Sequence, residues 1–366
     1  YDCPGIYFGT YCLSGPLLIL PIFRKRYAMR YASWILLLTV WVGCTPPNNK
    51  FHDERIREIY DLKDRRSTDT LLVLLGDISA QIRNEAAMAL ASVQDSLASN
   101  RLGTALLEDP DAAVRVNAAF ALGQTGGYQA VNALLPALTT SPPHVTREVL
   151  EALGKSVSKS DLRILLSFEA KDTLSQEGLA WALYRLTLRK MADSTVTARM
   201  AEYLLPEYSY QTRLAAAHYF GRTQQLPGKG YEENLIAAAT GDTRSEVRMA
   251  AINGFRSFTP ERSVAILSGI FKAATDPRIR ISAVRVCQNY PLKECFPLVY
   301  EGLVDSVELV AVAASEVIIQ RMDASLYDNL KDAPIKTSFR TKANLLAAFL
   351  ATSSDQKIWQ QAAAQY

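Results

Sequence analysis

Side chains that could do chemistry are few, and those present do not converge. The 366 residues hold three histidines, His52, His144 and His218. One stands in a charged segment, one follows Ser141-Pro142-Pro143, and one lies in an aromatic stretch. Their separation argues against a shared acid–base or metal site. Five cysteines are present; Cys287 and Cys295 are the pair in the body of the chain, with no C-x-x-C spacing to suggest zinc or redox work. Cys287 sits on an apolar helical stripe and reads as a buried free thiol, a disulfide being the alternative in an exported protein. Residues 225–230 form a Gly- and Pro-containing loop without phosphate-loop spacing, and Glu232 and Glu233 fall where a helix dipole favours them. No catalytic residue, cofactor or metal is expected.

What remains is surface. Trp181, Tyr184, Tyr208, Tyr210, His218 and Tyr219 crowd into one stretch of the middle of the chain. Aromatic side chains bury much area at small entropic cost and recur at binding hot spots, which makes these six candidates for contact with a partner. Filling an irregular core explains them equally well. The 222–230 loop beside them could shape such a site or be tolerated slack.

The elements that must position these residues repeat. Asp77, Asp109 and Asp242 are each followed by an arginine six residues later: Arg83, Arg115 and Arg248. A small residue stands three beyond each arginine and a large apolar one seven beyond. Arg280 continues the series from a shorter turn at Asp276. Apolar anchors at Leu90, Leu122, Leu153, Leu183, Phe220, Phe255, Cys287, Val317 and about Ala347 lie 30 to 37 residues apart, giving about nine repeats. Within one unit, Asp109 is read as an N-cap with Pro110 at the first helical position, and the helix is expected to stop near Gly123, ended by positive φ at Gly123 and the Gly126-Gly127 pair. Two short helices per unit cannot hide their apolar faces alone, so neighbours must stack.

This Asp, apolar-Arg, Ala-Ala, Leu-Gly pattern resembles the HEAT repeat, in the short bacterial variant also seen in phycobilisome lyase-like proteins. The resemblance covers about residues 67–350. It implies an all-α, right-handed α-solenoid of armadillo-like repeats. It also implies a structural ladder in which Asp77, Arg83, Asp109, Arg115, Asp242, Arg248, Asp276 and Arg280 link neighbouring units. A concave face lined by second helices would then take a protein or extended peptide.

The N-terminal text is of another kind. From Met29 a basic start leads into a largely apolar run of eleven residues, 32–42, then Gly43 and Cys44. At 1.5 Å rise per residue the run is too short to span a bilayer that needs about 20 residues, so a cleaved export signal over 29–43 is expected. Cys44 after Gly43 resembles the lipobox of bacterial lipoproteins, with Trp41 where that family usually carries Leu; lipid on Cys44 would hold the protein to a membrane of the cell envelope. A signal peptide with an incidental cysteine and an uncleaved anchor are the other readings. Residues 44–51 form a polar tether, residues 1–28 read as an upstream extension, and residues 52–366 as the solenoid with a capping helix over 52–66. The order of signal, CTPPNNKF and IREIYDLKDRR before HEAT repeats resembles the N-terminal half of Bacteroidetes-type HEAT–cyclophilin lipoproteins. That resemblance implies a peptidyl-prolyl isomerase domain beyond Tyr366. A stand-alone adaptor and a lyase-like protein are the alternatives.

Charge sharpens the partner class. Residues 1–44 hold four basic residues against Asp2, leaving 36 basic and 36 acidic residues in the remainder. Phosphate backbones demand a cationic surplus, so nucleic acid is not expected. The sequence points to a non-catalytic protein-binding scaffold.

Overall fold

Alanine- and leucine-rich text with few breakers favours helix, and every regular element among the described residues is helical. The computed structural model describes residues 50–366 except 224, 323–325, 331–338, 353–356, 358, 359, 361–363, 365 and 366. The chain divides into two units, Tyr1–Asp53 and Glu54–Tyr366. Of the first, the described residues form a 3₁₀ turn, Lys50–His52. The export signal, Cys44, most of the tether and the upstream segment lie outside the described residues.

The second unit opens with α1 (Glu54–Asp64), a charged helix that buries Ile56 and Ile59. Helix pairs follow: α2 (Thr68–Leu74) with α3 (Ala80–Val93), then α4 (Ser99–Glu108) with α5 (Ala112–Thr125). Next come α6 (Gly127–Leu134) and the single turn α7 (Ala137–Thr140) with α8 (Pro143–Ser156), and α9 (Arg163–Leu166) with α10 (Thr173–Leu188). The series continues with α11 (Ser194–Glu202) and α12 (Tyr210–Arg222), α13 (Glu232–Gly241) and α14 (Ser245–Ile252), α15 (Pro260–Ala273) and α16 (Pro277–Val286). It ends with α17 (Leu292–Leu303) and α18 (Glu308–Arg321), and α19 (Tyr327–Leu330) before α20 (Phe339–Thr352). From α3 to α20 the second helices form one row, each packed on the one before it and on its own first helix wherever that helix is fully described. A stack of helix pairs that contact only their neighbours is an α-solenoid.

The anchors from Leu90 to Val317 are all fully buried. In the last unit, where the anchor is expected at about Ala347, that residue is half-buried and Leu345, Ala348 and Phe349 around it are buried. Two local expectations are corrected. α5 begins at Ala112, capped by Asp111, whose carboxylate accepts the amides of Ala113 and Val114 at 2.8 and 3.3 Å. Asp109 lies two residues before that cap, where its carboxylate accepts the Asp111 amide and pairs with Arg83 of the preceding repeat. Nor does Gly123 end the helix. It lies inside α5, where an added Cβ would stand 2.8 Å from the Ala152 Cα of α8, and termination falls to Gly126 with φ +67°. Gly123 is there to let two helices of the row touch.

Candidate functional site

The arginines and aspartates that span the repeats form rungs. Arg83 donates Nε and Nη2 to the two carboxylate oxygens of Asp109 at 2.7 and 2.8 Å, and Nη1 to its own turn at the Asp77 carbonyl, 2.9 Å. Arg213 and Asp242 repeat the fork at 2.7 and 3.3 Å, and Arg280 and Asp305 at 2.8 and 3.1 Å. Arg55 of the first helix reaches Asp77. Each aspartate also accepts the amide two residues on, in Ser79, Asp111, Arg244 and Val307. The Arg83 and Asp109 side chains are 11% and 5% exposed, so this is a desolvated, bidentate pair. Burial alone would lift the Asp109 carboxyl; hydrogen bonds from Arg83 and the Asp111 amide outweigh it and hold the group below its ordinary value.

Three of the eight expected ladder residues make no rung. Arg115 keeps the bond to its own turn, at the Asp109 carbonyl, but Ser141 stands where the next aspartate would, and its Nε is buried without a partner. Arg248 donates Nε to the Ala239 carbonyl; the residue six before Arg280 is Ala274. Asp276 caps α16 through the Arg278 amide and pairs with the Arg278 guanidinium at 2.8 Å, because it sits at the cap position of the turn. Asp242 does form a rung, with Arg213 as its arginine. The sequence reading did not assign Arg213 or Asp305. A signal existed for Arg213, since Ala216 and Phe220 follow at the repeat's own spacing. None existed for Asp305, whose unit has Ala311 in place of the arginine.

Of the six aromatic candidates, three come together. Trp181 and Tyr184 on α10 meet edge to face with centroids 5.6 Å apart, and His218 of α12 lies 6.1 Å from Trp181 and 6.0 Å from Tyr184. Trp181 and His218 are half-buried, while Tyr184 is nearly covered. Burial, then the charge of Arg222, pushes His218 below its ordinary value, which keeps the ring neutral at pH 7. The other three do not join. Tyr219 is fully buried, its hydroxyl 2.6 Å from that of Thr197 and its ring edge-on to Phe220; it faces the core because it is one position round the helix from His218. Tyr208 packs on Tyr203 and donates to Glu202 at 2.6 Å. Tyr210 lies under the Arg244 guanidinium, 4.3 Å away.

Charged neighbours extend the cluster along the row. Arg185 of α10 donates to Glu151 of α8 at 2.8 Å and lies over the Tyr184 ring. Lys155 sits 3.4 Å from Glu151 and 4.8 Å above the Phe120 ring of α5. Burial and the Glu151 charge raise Glu148, whereas Lys155 and Arg185 overcome burial and lower Glu151. The arrangement offers flat aromatic surface and fixed charges of both signs, with no nucleophile placed to be activated by them. Among the described residues no group of three or more His, Cys, Asp or Glu could hold a metal. Cys287 and Cys295 are buried and free.

Residues 99–183 match the HEAT-repeat family. That stretch runs from α4 through most of α10, and with the stacked pairs and rungs on either side the fold is an all-α solenoid of HEAT repeats. Among solved structures, an engineered protein is 20% identical with a TM-score of 0.46 over 83% of this chain and 89% of its own. Kap121p bound to Nup53p is 14% identical, TM-score 0.39, over 80% of this chain and 36% of that one. Human deoxyhypusine hydroxylase in complex with glycerol is 13% identical, TM-score 0.31, over 72% and 96%. No curated protein matches the chain.

Proposed function

We propose that the chain is a non-catalytic HEAT scaffold that holds a protein segment against its second-helix row, on the concave side expected of such a stack. The observation that carries this reading is the Trp181–Tyr184–His218 cluster, with Trp181 and His218 half-buried over Tyr184, joined to the charged network of Arg185, Glu151 and Lys155. Aromatic anchors ringed by charge are what a peptide-binding surface needs. We place the protein in a bacterial cell envelope, anchored through lipid on Cys44, on the strength of the basic start, short apolar run and Gly43-Cys44 junction. The resemblance of the tether and first helix supports reading it as the repeat portion of an isomerase lipoprotein, and the reading frame past Tyr366 tests that assignment.

Capture of partners from an envelope extract tests the scaffold. The protein carrying Trp181→Ala and His218→Ala should lose the partners retained by the unaltered chain, with its helical content and melting temperature little changed. Undiminished capture would remove the cluster from the account. Mass spectrometry of the mature N-terminus tests the anchor: diacylglycerol on Cys44 is expected, and an unmodified Cys44 contradicts it.

A further inference from the structure

Repeat 6 (α13, α14) and repeat 7 (α15, α16) meet across a weak seam. Their second helices run for 8 and 10 residues, whereas the others from α3 to α20 run for 13 to 16. Each gives way to a 3₁₀ turn, Asn253–Ser257 after α14 and Cys287–Asn289 after α16. Such turns have poorer hydrogen-bond geometry and often mark a hinge. Among neighbouring second helices from α3 to α20, α14 and α16 make the smallest contact, and the first helices α13 and α15 do not pack on each other as α15 and α17 do.

The two devices that close other joints are missing at this one. Ala274 stands where a carboxylate would face Arg248, and Arg248 turns its Nε back to the Ala239 carbonyl of its own repeat at 3.2 Å. Among the described residues no glycine brings the backbone of repeat 6 against that of repeat 7; an added Cβ on Gly241 of α13 or Gly269 of α15 would meet nothing within 4 Å. What crosses the seam lies at its two edges and differs in kind. On the edge formed by turns between repeats, the buried Tyr290 donates its hydroxyl to the Phe255 carbonyl at 2.7 Å, with that of Phe258 at 3.3 Å. On the opposite edge, Arg278 pairs with Glu246 at 3.8 Å between side chains 57% and 40% exposed, and Asp276 meets the Ser245 hydroxyl. Exposed pairs hold weakly, whereas a buried hydrogen bond is costly to leave unmade. One edge is pinned and the other can open.

The array is held more firmly on either side. Repeats 5 and 6 share the Arg213–Asp242 fork and the close approach of Gly221, whose Cβ would stand 2.7 Å from the Ala250 carbonyl oxygen. Repeats 7 and 8 share the Arg280–Asp305 fork, and repeats 8 and 9 are tied by Arg340–Glu316 at 2.8 Å and Asn344–Ser315 at 3.0 Å. We propose that the seam between α14 and α16 is a hinge, on which repeats 7–9 swing as one body against repeats 1–6 about an axis through Tyr290. The connecting residues 253–259 absorb the change in backbone angles, as a few residues at the ends of elements do in hinged proteins. The swing changes the curvature of the second-helix row, which the scaffold reading above puts to use in closing on a bound segment; the hinge itself stands without that reading.

Double electron–electron resonance between spin labels on the free, full chain tests the hinge. Labels carried on ketone-bearing residues leave the native cysteines untouched. One pair takes the exposed positions of Glu207 and Glu308, three joints apart across the seam; the other takes those of Ile78 and Glu169, three joints apart in repeats 1–4. The distance distribution of the first pair should be about twice as wide as that of the second. Ala274→Asp, which places a carboxylate before Arg248, should narrow the first distribution to the width of the second. Tyr290→Phe, which removes the pin and keeps the ring, should widen it further. Equal widths for the two pairs without either substitution overturn the hinge, and so does a width across the seam that neither substitution changes.

Discussion

The joint between repeats 1 and 2 and the joint between repeats 3 and 4 solve one problem differently. At the first, α3 and α5 are tied by the Arg83–Asp109 fork, sealed from water and braced by the turn's own carbonyls and amides. At the second, between α8 and α10, that fork is missing. There the helices close on each other instead: a Cβ on Gly154 would stand 2.5 Å from the Ala182 Cα, and one on Gly178 would stand 2.5 Å from the Arg147 carbonyl oxygen. The charges of this joint form two looser pairs, Arg147–Glu177 at 3.7 Å and Arg185–Glu151 at 2.8 Å, the second beside the aromatic cluster. Cohesion between repeats therefore does not require the rung. Where backbone contact supplies it, the cross-repeat ion pair can be as loose as Arg147–Glu177.

The largest effect that would break this contrast is loss of a rung. Asp109→Ala leaves Arg83 buried without its counter-charge and should cost about 3 kcal/mol in chemical denaturation, whereas Asp276→Ala removes a helix cap and should cost about 1 kcal/mol. Equal losses would mean the fork adds nothing beyond its turn. The same rung sets a pH dependence. The Asp109 carboxyl is held below its ordinary value of 3.8 in the folded protein, so its contribution is complete above that pH and is lost as pH falls through the lower, folded value. Asp109→Ala should flatten the acid limb of the stability curve.

Gly154→Ala tests the other joint. The clash with α10 backbone should cost about 2 kcal/mol even after the gain in helix propensity, while Gly269→Ala, whose new Cβ would meet nothing within 4 Å, should gain about 0.5 kcal/mol. A neutral Gly154→Ala would show that α8 and α10 can part without loss. A smaller effect of opposite sign should come from Ser141→Asp. It places a carboxylate at the empty rung facing Arg115, whose Nε lacks a partner, and should stabilise by about 1 kcal/mol. No gain would mean that the thirty-two-residue register does not carry across to repeat 3.

How far these features could be read from sequence follows from their range. The helix pairs and buried anchors rest on spacing within one unit, and that is visible in the text. Gly123 was misjudged because a glycine after an apolar stripe looks the same whether it ends its own helix or admits a neighbouring one; Ala152 decides which. Asp276 misled for a similar reason, since a two-residue shift within the turn exchanges a rung for a cap. The aromatic cluster was half legible. Residue type singled out Trp181, Tyr184 and His218, but it also drew in Tyr219, one residue from His218 and turned about 100° round the helix into the core. Arg185 and Glu151 escaped notice because their pairing crosses 34 residues of sequence between two loosely patterned repeats.

The most direct test of a scaffold that binds through its aromatic cluster is hydrogen–deuterium exchange of the chain with and without a captured partner. Slowed exchange should be confined to Thr173–Leu188, Tyr210–Arg222 and the turns that follow them. Protection centred instead on the rung turns at Asp77 and Asp109, or spread evenly over all the second helices, would contradict it.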